Sequence, residues 1–215
     1  MPTHERDERL VHRLESFSDV VIGFSLALLS LTLVIPQHVT ELIRNTWWMV
    51  AYVWTYAVIA SIWYNHQRLF SVYFVVRPYT IVLNFFLLST LGLMVYFVQV
   101  FVHVQSDFDK IWTFLVYFLI QGLSGLAIGV LYSIGVRARW NQLDPHERYV
   151  GILHGSRSLI AGASILLGIG VSALRPARTM DDALPLAYAA LAGLLLARVG
   201  ARLLKSRIVG VQTVR

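Results

Sequence analysis

Apolar residues run along this chain in blocks much longer than the stripe of a surface helix. One block follows Asp19 as VVIGFSLALLSLTLVI and reaches Ile35 without a charge. A helix that crosses the hydrocarbon of a bilayer needs about 20 mostly apolar residues. Six segments reach or approach that length: 17–35, 47–65, 79–103, 111–136, 150–174 and 183–204. The connectors PQHVTELIRN, HQRLFSVYFVVRP, VQSDFDK, RARWNQLDPHER and RPARTMDD are short and polar or proline-bearing. None is long enough to separate folded units. The pattern predicts one all-α domain over residues 1–215, a polytopic membrane protein with six transmembrane helices per subunit. The leading MPTHERDERLVHRLES carries mixed charge with no small-residue cleavage site after the apolar run, so the first helix is expected to be retained.

Composition agrees with the pattern. Of 215 residues 57% are hydrophobic and 14% charged, with a mean hydropathy of +0.63. Soluble domains are about 25% charged, so this chain lacks the polar surface to cover a water-soluble globule. Cysteine is absent, which excludes disulfides, thiolate nucleophiles and Cys-type metal sites. The net charge of +6 reads as loops facing anionic lipid rather than as a nucleic-acid surface.

The placement of Lys and Arg sets the orientation. Arg6, Arg9, Arg13, Arg68, Arg77, Arg137, Arg139, Arg148, Arg198, Arg202, Lys205, Arg207 and Arg215 fall on the side of the N-terminus, against Arg44, Lys110, Arg175 and Arg178 on the other. Both termini are expected to be cytoplasmic, in a multi-pass protein of the cell membrane. Trp47, Trp48, Trp63, Trp112 and Trp140 stand at segment ends, where amphipathic rings favour the interface.

Ionisable groups at membrane depth are rare and tend to be paired or functional. Asp19, His66, His103, His154 and Arg157 qualify, with Asn65 and Asn84 as neutral companions. Arg13 and Asp19 are six residues apart, which turns them about 120° around a helix and forbids a standard pair. A partner for Asp19 must come from another helix or from interfacial water. If the first three segments pack together, Asp19, His66 and Asn84 lie at similar depth and would tie the first helix to the next two. The blander alternative leaves each group solvated among headgroups. Phe24, Leu28, Leu31 and Ile35 form a bulky apolar stripe on the first helix, which periodicity alone does not distinguish from lipid contact or core packing. GLAIG (Gly125 to Gly129) fits a small-xxx-small packing pattern, a weak signal in a glycine-containing helix. HxxxH, GxSxG and paired intramembrane aspartates are absent, so no enzyme is expected.

The motif R-x-x-x-F-S-D, read as Arg13, Phe17, Ser18 and Asp19, resembles the signature of the transmembrane protein 175 family of potassium channels. W-x-x-H (Trp63, His66) and LNFFLL with Asn84 are similar to that family as well. The resemblance implies a homotetramer of six-helix subunits in the lipid bilayer, with a pore lined by the first helix and no TVGYG filter. It assigns Arg13, Phe17, Ser18, Asp19, Trp63, His66 and Asn84 to a helix-anchoring network. It assigns Phe24, Leu28 and Leu31 to an apolar constriction. Potassium is then the permeant ion, with no cofactor, structural metal, nucleic acid or soluble partner. The chain departs from the family pattern at Val20, where glycine is usual, at Ala27, where threonine is frequent, and in the bulk of Phe24. The expectation is a potassium-preferring cation channel. The alternative is a proton-coupled secondary transporter with Asp19 and His66 as a relay.

Overall fold

The computed structural model describes residues 3–33, 38, 40, 46–174, 192 and 193. Among these the chain is built from five long helices: α1 (Thr3–Ser30), α2 (Thr46–Arg68), α3 (Pro78–His103), α4 (Asp107–Ala138) and α5 (Pro145–Leu174). By length and composition α3, α4 and the Pro145–Ser172 part of α5 are able to cross a membrane, with mean hydropathies of 2.2, 2.1 and 1.4. Helix α2 is poorer on that scale because Trp48, Tyr52, Trp54, Tyr56, Trp63 and Tyr64 carry polar atoms on otherwise apolar rings. The predicted segment 183–204 lies outside the described residues, apart from positions 192 and 193. The Gly193 backbone rests on Ser164 and Ala161 of α5.

Three predicted boundaries are corrected. Helix α1 starts at Thr3 rather than at 17. Its charged N-terminal part is helical in its own right, with Arg9 donating to Glu5 one turn earlier at 3.1 Å. At the other end the helix stops at Ser30 instead of reaching 35. Leu31 and Thr32 donate to the Leu28 and Leu29 carbonyls, each at 3.1 Å, which tightens the last turn. Residues 34 and 35 lie outside the described residues.

The connector after α2 is the second correction. The helix runs on through Arg68 into a π-helical turn, Leu69–Tyr73, and only then becomes extended before Pro78. Leu69, Phe70, Tyr73 and Phe74 are buried, so this segment belongs to the core. Backbone that leaves the helix in a buried place needs other partners. Arg139 supplies them, donating to the Val72 and Phe74 carbonyls at 2.9 and 2.8 Å.

Third, α5 begins at Pro145 rather than 150. The Glu147 N–H donates to Asp144 Oδ1 at 2.6 Å and the Asp144 N–H to Glu147 Oε2 at 3.2 Å. That reciprocal pair is a capping box with proline at the first helical position. The signal, Asp-Pro-His-Glu, sits in plain view within the polar connector.

Helices α4 and α5 pack along a glycine seam. A side chain added at Gly162 would meet the Gly122 carbonyl at 2.7 Å and the Leu126 nitrogen at 2.8 Å. One at Gly125 would meet the Gly162 Cα at 3.2 Å. Lipid offers no hydrophobic drive for helix association, so such close backbone approach does the work of holding the pair. GLAIG thus carries more of the fold than its sequence signal suggested.

Candidate functional site

Helix α1 meets α2 and α3 through one stripe: Leu14, Ser18, Ile22, Ser25 and Leu29, spaced three and four apart and all buried. Ser18 and Asp19 are adjacent in sequence, about 100° apart around the helix, and therefore address different neighbours. Two polar groups of contacts result.

In the first, the Asn84 amide of α3 donates to Ser18 Oγ at 3.2 Å. That orients its Oδ1 as an acceptor towards His66 Nε2 of α2, 2.8 Å away. A neutral His66 then carries its proton on Nε2. Ser18 in turn donates to the Leu14 carbonyl at 2.7 Å. All three residues are fully buried. The His66 ring stacks on Phe70, centroids 4.4 Å apart, and its Nδ1 has no hydrogen-bond partner among the described residues.

The second group surrounds Asp19, which stays partly exposed. Trp63 Nε1 donates to its Oδ1 at 3.1 Å and Gln67 Nε2 to the same oxygen at 2.5 Å. Gln67 was not singled out from the sequence. It follows Trp63 by four residues, so any contact that recruits one face of α2 recruits both. That spacing was the available signal.

The remaining anticipated residues are placed as follows. Phe17 lies half-exposed with its ring edge against Phe85 of α3, centroids 5.7 Å apart. Arg13 is exposed and makes no hydrogen bond or ion pair with a described residue; the structure does not bring it to Asp19. Phe24, Leu28 and Leu31 are 66%, 48% and 77% exposed. Together with Phe17 and Val20 they make an apolar stripe along α1 and its last turn that no described residue covers. Ala27 and Gly23 are exposed as well.

A separate polar contact joins α2 to α4 and α5. Asn65 Nδ2 donates to the Ser61 carbonyl at 2.7 Å, which leaves Asn65 Oδ1 to accept from His154 Nδ1, also at 2.7 Å. Tyr132 donates to the Asn65 carbonyl at 2.8 Å and stacks on His154. In the connector, Tyr73 donates to the Glu147 carbonyl at 2.8 Å; burial raises its hydroxyl above the usual tyrosine range and keeps the donor proton in place. Among the described residues no cluster of three or more His, Asp or Glu is arranged to hold a metal ion.

The family model described as endosomal/lysosomal potassium channel TMEM175 matches residues 13–94. Over that stretch the sequence is similar to the TMEM175 family. The match starts at Arg13 and ends at Met94 inside α3, so it contains both polar groups around α1 and the exposed stripe. The TMEM175 portion leaves out α4, α5 and the Asn65–His154 bond's second partner. No curated protein matches the sequence. Among solved structures, a crystal structure of a point variant of the potassium channel MtTMEM175, in complex with a Nanobody-MBP fusion protein, superposes with a TM-score of 0.61 at 20% identity. The alignment covers 90% of this chain and 93% of that one. At that identity the likeness is one of fold, and it extends beyond the segment that the family model matches.

Proposed function

We propose that the chain is one six-helix transmembrane domain, with cytoplasmic termini in the cell membrane, that assembles as a homotetramer into a potassium-preferring cation channel and not an enzyme. The first helix of each subunit lines the pore. The observation that carries this reading is the division of α1 into two faces. One face is fixed against α2 and α3 by packing and by the Ser18 and Asp19 contacts. The other presents Phe17, Val20, Phe24, Leu28 and Leu31 outward. Four copies turned inward would stack these side chains into apolar rings, with Phe24, Leu28 and Leu31 as the constriction. The TMEM175 match and the likeness to a potassium channel support the same reading.

The physics is that of a dewetting gate. An apolar ring too narrow for a hydrated ion imposes a desolvation barrier. Potassium holds its hydration shell less tightly than sodium and crosses at a smaller penalty. Ser18, Asp19, Trp63, His66 and Asn84, with Phe17 against Phe85, act by setting the rotation and depth of α1, and Arg13, which no described residue engages, takes no part in it. The transporter alternative would pass protons between Asp19 and His66; here Asp19 is engaged by Trp63 and Gln67, and His66 by Asn84.

Reconstitution into liposomes with opposed K⁺ and Na⁺ gradients tests the proposal. The expected outcome is unsaturated flux favouring K⁺, raised by Phe24→Ala or Leu28→Asn. A tenfold rise corresponds to about 1.4 kcal/mol off the barrier. Unaltered flux and selectivity in both variants would remove α1 from the conduction path. Saturable, steeply proton-coupled flux would favour the transporter.

A further inference from the structure

Between the C-terminal part of α4 and the N-terminal half of α5 lies an open groove of about 420 Å³. Its walls include Val136, Ile152 and Leu159, and it has room because Ser133, Gly151 and Gly155 carry little side chain. Arg137 and Trp140 stand at its rim, at the end of α4 that the charge pattern places in the cytoplasmic leaflet. From Trp140 to Ser133 the groove runs seven residues along α4, about 10 Å at 1.5 Å per residue. That is most of one leaflet's hydrocarbon depth, taken as half of about 30 Å.

The donors at the rim decide the occupant. Arg139 is engaged with the Val72 and Phe74 carbonyls. Arg148 donates to the Leu143 carbonyl at 3.0 Å and lies over the Trp140 ring at 5.0 Å. The Ser133 and Ser156 hydroxyls donate to the Gly129 and Leu153 carbonyls of their own helices. Arg137 is exposed and has no hydrogen-bond or ion-pair partner among the described residues. A guanidinium at headgroup level beside an apolar groove matches a phosphate above an acyl chain, since its planar fork takes two phosphate oxygens at once. A second copy of the chain seated there would have to bury Arg137 against an apolar wall, a placement that leaves a charge unpaired.

We propose that this groove is a binding site for an anionic phospholipid of the cytoplasmic leaflet. One acyl chain lies between Val136, Ile152 and Leu159, the phosphate is bound by Arg137, and Trp140 flanks the glycerol region. The site lies outside the TMEM175-matched segment and is independent of the channel reading.

Quenching of tryptophan fluorescence by brominated lipid tests it in the full-length protein in vesicles. The contribution of Trp140 is the difference between wild type and Trp140→Phe. Dibrominated phosphatidylglycerol is expected to quench that contribution with about fivefold higher relative affinity than dibrominated phosphatidylcholine, the factor one basic residue supplies near an anionic surface. Arg137→Gln should erase the preference, and Arg137→Lys should keep part of it. Ser156→Phe, which fills the groove from the solvent-accessible wall, should weaken quenching by both lipids while the unaltered Arg137 retains the preference at the rim. Equal quenching by the two lipids in wild type would overturn the proposal in favour of ordinary lipid contact. Absence of quenching by either would overturn it in favour of a protein cover, and a preference that survives Arg137→Gln would overturn the assignment of the phosphate ligand.

Discussion

Helices α4 and α5 on one side and α1 on the other solve the problem of membrane packing in opposite ways. The α4–α5 pair closes on itself: Gly122, Gly125 and Gly162 bring backbones into contact, and Gly129 lies against Leu159. Helix α1 gives one stripe to α2 and α3 and holds that stripe with hydrogen bonds as much as with packing. Around Gly23 there is open space, with nothing within 4 Å of where a Cβ would stand. A seam of backbone contacts tolerates no rotation. A helix held by a serine, an aspartate and a few apolar side chains retains a free face and a defined angle. The first arrangement suits a scaffold, and the second suits a helix whose outward face meets something beyond the subunit.

Breaking the seam should have the largest effect. Gly162→Val places added methyl groups against the Gly122 carbonyl and the Leu126 nitrogen, backbone atoms that no side-chain rotation can move aside. Overpacking costs about 1–3 kcal/mol, more where backbone must move. The expected outcome is loss of a monodisperse species on size-exclusion chromatography. Asn84→Ala comes next. It strands His66 Nε2 and removes the donor to Ser18 in a fully buried place, for a loss of roughly 2–4 kcal/mol by the cost of unsatisfied polar groups, read as a lowered unfolding temperature in detergent. Trp63→Phe removes one of two donors to a partly exposed carboxylate and should lower stability by about 1 kcal/mol. Gly23→Ala closes the series. On α1 it should change stability by about 0.5–1 kcal/mol, in the stabilising direction expected for a helix-interior glycine. Were Gly23→Ala as damaging as Gly162→Val, the contrast between the two regions would not hold.

Much of this was legible in the chain. The apolar blocks located α2, α3, α4 and α5 to within a few residues, because hydrocarbon length is a strong constraint and short connectors leave little freedom. Asp19, His66 and Asn84 stood out because polar groups in an apolar run need partners, and Ser18 only through the motif it shares with Asp19. Their division into two groups did not. Ser18 with Asn84 and His66, and Asp19 with Trp63 and Gln67, depends on which face of α1 each neighbour takes, and adjacent residues on a helix face different ways. The buried π turn at Leu69–Tyr73 was hidden for a related reason. Its sequence, LFSVY, is as apolar as a helix and as short as a loop, and only the Arg139 guanidinium reaching its carbonyls makes the irregular backbone tenable.

By itself the sequence determined that this protein belongs in a bilayer, roughly where α2 to α5 fall and which polar side chains had to find one another, since desolvation acts on each residue wherever it sits. Only the tertiary structure decided who the partners are and which side of α1 stays uncovered. Rotation about a helix axis costs an isolated segment nothing, and it becomes fixed when glycine seams and paired hydrogen bonds from other helices make one angle better than the rest.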